Sequence, residues 1–411
     1  MPTLPQELID EIVYLLCDDR TSIRSCSLSA SCFQHSSREV LFRDTEVACH
    51  KGIDRIQKFS DFLLSEPPIV TFIRRLSLIG GRVYPKPTMA ISTLSKILNS
   101  LPNIHSLSLG LLSLCSGGID TSFRSINLHQ LSLDFIDVQC SDIDSYHKHF
   151  LNLFSLFRKV EIFVVESTHL EAFTDEDILT YEATRQWIDE AKKKDPTLVE
   201  RFQVSSLSIV DTRSISSTFF LELIRNTSVP HSLSLHVSAM HNASAAQALI
   251  AHTKTSLISL AIYIETECID DDNEWEIQLA LPNYTFDLCR CENLVNLRLG
   301  FGIDFPVVIA GMHRSIKSVA ESSTAFSLRN VTLQAMLDKD TAPARDEEEN
   351  FKALEKVTVD LSELRLKVVD CFLLMVQICT SRLQTMQQTI VRFRHVHSYL
   401  RSRCLITILG Q

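Results

Sequence analysis

The side chains best suited to chemistry sit in a few short clusters. Cys289 and Cys291 are separated by one residue, tighter than a usual zinc pair, and no second Cys or His pair follows at a suitable distance. They are read as core cysteines. His147 with His149, and His395 with His397, would grip a metal only if their segments were extended, and no carboxylate is placed to complete either site. They are read as surface histidines. Glu265 to Glu276 holds seven acids, including Asp270, Asp271 and Asp272, and no base. A cation or a basic segment would suit it, and a solvated insertion is the plainer reading. Asp338 to Glu349, with Pro343 and Asp346-Glu347-Glu348-Glu349, is a second acidic stretch that solvation alone explains.

Catalytic frameworks are missing around these clusters. The chain has no Gly-x-Ser-x-Gly elbow, P-loop, dinucleotide glycine pattern, His-Glu-x-x-His or kinase signature, and ten glycines serve all 411 residues. A diverged α/β hydrolase would need a glycine-framed nucleophile that is not here. The expectation is a protein that is not an enzyme and takes neither cofactor nor metal.

Composition narrows the class further. Apolar residues make up 45% and charged residues 22%, and no apolar run reaches bilayer-spanning length, so no membrane partner is expected. The start, Met1-Pro2-Thr3 followed by Glu7, Asp10 and Glu11, lacks the basic opening of a signal peptide, and an intracellular protein, cytoplasmic or nuclear, is expected. Twelve cysteines are scattered without a framework, and Cys17, Cys371 and Cys379 lie in apolar settings, so reduced thiols acting as small hydrophobes are expected. Inside the cell the four Asn-x-Ser/Thr matches, at Asn226, Asn242, Asn283 and Asn330, are chance. A formal charge of −10 without a basic stripe argues against nucleic acid.

The elements that carry these residues repeat. Beyond residue 70 a pair of apolar residues flanking one other residue recurs ten times: Leu76/Leu78, Leu107/Leu109, Leu131/Leu133, Ile162/Val164, Leu207/Ile209, Leu233/Leu235, Leu260/Ile262, Leu297/Leu299, Val331/Leu333 and Val357/Val359. Helix-like segments intervene at Met89 to Leu98, Phe219 to Ile224 and Ala245 to Ile250. The phrases Leu101-Pro102-Asn103-Ile104-His105-Ser106-Leu107-Ser108-Leu109 and Cys291-Glu292-Asn293-Leu294-Val295-Asn296-Leu297-Arg298-Leu299 are similar to the strand approach of leucine-rich repeats, without that family's regular Asn or Cys afterwards. The resemblance implies an irregular solenoid with a parallel strand face, each unit burying its apolar side on the next. A doubly wound α/β domain would give the same alternation. Between the fourth and fifth strands, Thr174-Asp175-Glu176-Asp177, Trp187 and Lys192-Lys193-Lys194 read as an inserted amphipathic helix ending at Pro196, with Trp187 packed on the solenoid or presented to a partner.

The N-terminal stretch is different in kind. Pro5 suits a first helical turn, and Leu8, Ile12, Leu15 and Leu16 recur at helical spacing while Ile9 and Val13 widen the stripe, so this helix is expected to be buried on two sides. Asp18, Asp19 and Thr21 offer caps for a second helix with Ile23, Cys26 and Leu28, and Phe33, Val40, Leu41 and Phe42 fit a third. Three helices in forty residues make a core so small that it leans on a neighbour or a partner. The Leu4-Pro5 opening, the Leu8-Ile9 pair, Asp18-Asp19, Cys26-Ser27-Leu28 and Leu41-Phe42 resemble an F-box, with Ser29-Ala30 and Phe33 departing from a common Val-Cys and Trp. That resemblance implies docking to a ubiquitin-ligase adaptor subunit, and through it a cullin, by Leu4, Pro5, Leu8, Ile9, Ile12, Leu15, Ile23, Leu28 and Phe33.

The expected organisation is therefore α/β: an F-box-like helical domain at 1–45, a helical linker at 46–70 around Ile53 to Leu64, a degenerate leucine-rich-repeat solenoid at 71–365 and a C-terminal helical cap at 366–411. With each apolar pair turned inward, the residues between, such as Ser77, Ser108, Phe163, Ser234 and Thr358, turn outward. Substrate-binding candidates on that face are Asp134, His236, Tyr263, Arg298, Gln334 and Lys356. The implied function is substrate capture for a cullin-type ligase. The alternative is a non-ligase interaction scaffold whose helices serve only as a cap.

Overall fold

The computed structural model describes residues 4–49, 55–65, 67–81, 86–115, 117, 123–138, 143–169, 181–194, 202–210, 215–238, 242–265, 285–302, 311, 314–315, 317–318, 327–336, 371–378 and 404–410. It is an α/β protein in two compact units, residues 1–177 with 195–203, and residues 178–194 with 204–411.

The first unit opens with three helices, α1 (Gln6–Leu15), α2 (Arg20–Ser29) and α3 (Ser31–Arg43). Pro5 is the N-cap of α1, one residue earlier than expected, and its carbonyl accepts from the Leu8 and Ile9 amides. Asp19 caps α2, accepting from the Thr21 and Ser22 amides at 3.1 Å each. The three-helix core is as small as the sequence implied, with Ile9, Val13 and Ile23 as its buried apolar side chains. Polar contacts supplement it: Gln6 Nε2 donates to Asp10 at 2.7 Å, and the buried Ser36 hydroxyl donates to the same carboxylate.

Immediately after α3 the chain enters a sheet. Strand β1 (Asp44–Ala48) pairs in parallel with β2 (Arg75–Ile79), and α4 (Arg55–Ser65) and the short α5 (Pro67–Val70) connect them. The helical linker is thus present, but a strand precedes it within the segment expected to be helical. The unit continues through β3 (Thr88–Ala90), α6 (Ile91–Asn99), β4 (Ser106–Gly110), β5 (Ser113–Cys115), β6 (Ile126–Val138), α7 (Ile143–Phe154) and β7 (Phe157–His169). The main strands run β1-β2-β4-β6-β7, all parallel and in chain order, while β3 and β5 form a small ladder on the end of β6.

The second unit holds α8 (Tyr181–Lys194), β8 (Gln203–Ile209), α9 (Ile215–Thr227), β9 (Ser232–Ser238), α10 (Ala243–Thr253), β10 (Ser259–Glu265), β11 (Asn296–Gly302), β12 (Asn330–Met336), β13 (Cys371–Ile378) and β14 (Cys404–Gly410). From β8 to β14 each strand pairs in parallel with the next. A doubly wound sheet reverses its strand order at a switch point, and neither unit does so.

Register follows the apolar pairs closely. Leu76 faces Leu107 and Leu107 faces Leu131, and in the second unit Leu207, Leu233, Leu260, Leu297 and Val331 form one continuous row. Within the two phrases singled out above, Leu101, Ile104, Leu107 and Leu109 are buried, as are Cys291, Leu294, Leu297 and Leu299. Their asparagines do the same work: Asn103 Nδ2 donates to the Thr71 carbonyl at 2.9 Å and Asn293 Nδ2 to the Thr255 carbonyl at 2.7 Å, each fastening a turn to the preceding one.

Four expectations are corrected. On β7 it is Phe163 and Val165 that are buried, so the Ile162/Val164 pair faces outward. The larger ring decides the phase, because Phe163 fills a cluster with Phe154 and Phe202 at centroid distances of 5.5 and 5.7 Å. His147 and His149 are buried, not surface residues, because α7 also buries Tyr146, Phe150, Leu151, Leu153 and Phe154 around almost its whole circumference. Cys17 is exposed, and of the Cys289/Cys291 pair Cys291 is a core cysteine as expected while Cys289 is only half-buried. Finally, Cys371–Ile378 and Cys404–Gly410 are strands within the segment expected to be a helical cap, each adding backbone hydrogen bonds to an otherwise open edge. Val357/Val359, Lys356, Thr358, Asp270 to Asp272, Asp338 to Glu349, Cys379, His395 and His397 lie outside the described residues.

Candidate docking surfaces

The first surface is the outer side of α1. Ile9 and Val13 turn inward, and the alternate stripe is open: Leu4 is 55% exposed, Leu8 45%, Ile12 40% and Leu15 78%. The spacing of four and three keeps Leu8, Ile12 and Leu15 on one side of α1, and Leu4 precedes the Pro5 N-cap. Leu28, at the end of α2, is 88% exposed. Ordinary surface leucines occur singly, whereas a run along one helix marks a contact. Of the nine adaptor-docking candidates, Leu4, Leu8, Ile12, Leu15 and Leu28 are thus accessible and Phe33 is half-buried. Ile9 and Ile23 are buried in the helices' own core and build the surface without presenting it, whereas Pro5 caps α1 and is itself exposed.

The side chains holding this surface are electrostatically settled. The Ser36 hydroxyl, then Gln6, hold the Asp10 carboxyl below its ordinary range, and the Ser22 side chain and amide do the same for Asp19. Both carboxylates are therefore committed to fastening helix ends and crossings.

The second surface is the outward face of β8–β12. Three of the substrate-binding candidates meet there. The His236 and Tyr263 rings stack with centroids 4.7 Å apart at 29°, and the Arg298 guanidinium lies 5.5 Å from the Tyr263 ring centre. All three are half-buried. Register explains the meeting: His236, Tyr263 and Gly300 share one row, and Ser234, Ala261 and Arg298 share the row before it. Gly300 matters because a Cβ there would lie 2.4 Å from Tyr263 Cδ1, so only glycine lets the ring lie across β11. Gln334 pairs with Gly300 in the same row.

Asp134, the remaining candidate, lies in the first unit with different neighbours. Burial pushes its carboxyl up from the ordinary range, while Lys86 pulls it back down. Nearby, Lys86 and Asp137 form an ion pair at 2.6 Å with side chains only 8% and 3% exposed, and Lys86 Nζ also donates to the Phe135 carbonyl at 3.2 Å. Leu111 and Phe135 both adopt left-handed backbone at this end of the strands, with φ of 53° and 50°. The Gly80 position could not carry a Cβ, which would fall 1.7 Å from the Leu111 carbonyl oxygen. Sequence reasoning missed this pair because its members are 51 positions apart and each reads alone as a surface charge.

Trp187 packs edge-on against Phe219 at 6.2 Å, fastening α8 to α9 within the second unit. Among the described residues no three ligating side chains converge, and no helix is long and apolar enough to cross a membrane. No protein-family model and no curated protein matches the chain.

Proposed function

We propose that this protein is a substrate-recognition subunit of a cullin-type ubiquitin ligase. In this reading residues 1–45 are an F-box that docks the ligase adaptor, and the parallel strands after them form a degenerate leucine-rich-repeat solenoid that captures a protein substrate. The observation that carries the reading is the open stripe Leu8, Ile12 and Leu15 on a helix whose other side is already buried, with the exposed Leu4 just before it. A forty-residue helical unit with three buried apolar side chains gains what it lacks by burying that stripe on a partner, at about 1.5–3 kcal/mol for each large side chain taken fully from water. The repeat reading is supported by chain-order parallel pairing, the in-register leucine rows and the matched roles of Asn103 and Asn293.

The proposed mechanism is effective concentration. The protein catalyses nothing itself; it holds a substrate on the strand face while the adaptor and cullin bring the charged ubiquitin carrier close. Co-elution tests it: the full chain mixed with a ligase adaptor subunit is run on size exclusion, beside the Ile12→Asp variant. A complex formed by the wild type and lost in a folded Ile12→Asp supports the assignment. The absence of a complex with folded wild-type protein overturns it and leaves a scaffold whose helices serve as a cap.

A further inference from the structure

Resting on the adaptor-docking reading, we infer that the partner's groove for α1 is bordered along one side by lysine or arginine side chains, which meet Glu11 and Glu7 at the rim of the apolar stripe. Position is the first argument. At about 100° per residue, Glu11 lies about 40° around the helix from Leu15 and about 60° from Leu8, and Glu7 lies about 40° further out. Both are exposed, and Tyr14, 61% exposed, continues the same flank. The opposite flank leads through Ile9 and Val13 into the helices' own core, so a partner that covers the stripe extends over the acidic side.

Commitment is the second argument. The three formal charges of α1, Glu7, Asp10 and Glu11, are all acidic. Asp10 is held by Gln6 and Ser36, while Asp18 and Asp19 lie beyond the helix end, where Asp19 caps α2. Neither Glu7 nor Glu11 forms an ion pair or hydrogen bond with a described residue. Water solvates them in the free chain. Against an apolar groove an unmatched carboxylate loses that solvation, so a partner that buries Leu8 and Leu15 has to place cations beside them.

Third, the helix itself accounts for only one of the two acids. Glu7 lies in the first turn, where a carboxylate complements the helix dipole. Glu11 lies past that turn, and as a like charge four residues from Glu7 it weakens the isolated helix.

The test measures association and dissociation rates of the full chain with a purified ligase adaptor subunit, at low and at high salt. The wild type is compared with Glu7→Gln/Glu11→Gln, with Glu7→Lys/Glu11→Lys, and with Glu166→Gln, which removes an exposed acid from β7, four strands from β1. At low salt the association rate is expected to fall severalfold in the Gln variant and about tenfold or more in the Lys variant, with dissociation changing less and high salt shrinking both differences. Glu166→Gln is expected to match the wild type. Circular dichroism identifies a Lys variant that has lost helix, in which case the Gln variant carries the test. Association of the folded charge variants at the wild-type rate, or faster, overturns the inference and leaves adaptor docking intact, whereas no binding by folded wild-type protein overturns both.

Discussion

A buried histidine gives the account a quantitative prediction. His147 sits on α7 with no exposed surface, and burial lowers its pKa from 6.5 to about 4 against the upward pull of Asp144. The folded protein therefore holds it neutral at pH 7, while the unfolded chain takes up a proton near pH 6.5. Because the unfolded state binds the extra proton between these values, stability is full above pH 6.5 and is lost as pH falls toward 4. At about 1.36 kcal/mol per pH unit, the site costs the fold about 2 kcal/mol by pH 5 and about 3 kcal/mol by pH 4. Urea unfolding of the full chain at pH 7, 6, 5 and 4, beside His147→Gln, isolates the effect, since the other titrating groups are common to both proteins. His147→Gln is expected to be less stable at pH 7 through altered packing, but to lose about 2 kcal/mol less than the wild type between pH 7 and pH 5. Parallel stability curves for the two proteins would refute the burial argument.

Three further outcomes follow from the same reasoning. Lys86→Met is expected to destabilise the protein by about 3–5 kcal/mol in urea unfolding, because Asp137 stays buried without its cation, whereas Lys86→Met with Asp137→Leu recovers most of the loss. Ile23→Ala, emptying one of three apolar positions in the N-terminal helices, is expected to cost about 2–5 kcal/mol, against less than about 0.5 kcal/mol for the exposed Leu28→Ala. Asp19→Ala is expected to fray the start of α2, seen as faster amide exchange at Thr21 and Ser22.

Much of the architecture was legible because repeated burial leaves a periodic mark. The apolar pairs predicted both the strands and their register wherever the residue between them was plainly the smaller or more polar, as at Ser108 and Ala261. On β7 the run Ile162-Phe163-Val164-Val165 is apolar in both phases, and only the space between Phe154 and Phe202 selects Phe163. Strand β1 was missed because it has one buried side chain, Val47, and follows a helix without punctuation. Cys371–Ile378 reads as helix or strand equally well, since a continuous apolar run carries no period.

The candidate site was legible in part. His236, Tyr263 and Arg298 were named from strand alternation alone, but their contact depends on register between strands far apart in sequence, and Gly300 gained meaning only when the ring above it was seen. For α1, counting apolar residues predicted two buried sides, and one of them, Leu8 with Ile12 and Leu15, is open. Periodicity reports how much of a helix avoids water; it does not say whether its own chain or another does the covering.

The central claim is that this open side is covered by a ligase adaptor. Calorimetric titration of the full chain with the adaptor subunit, beside Leu8→Asp, tests it most directly. The account predicts binding with a negative heat-capacity change, as expected for apolar burial, and a loss of about 100-fold or more in Leu8→Asp, which places a charge in the contact. Equal affinity of the two folded proteins, or no binding by either, would contradict it.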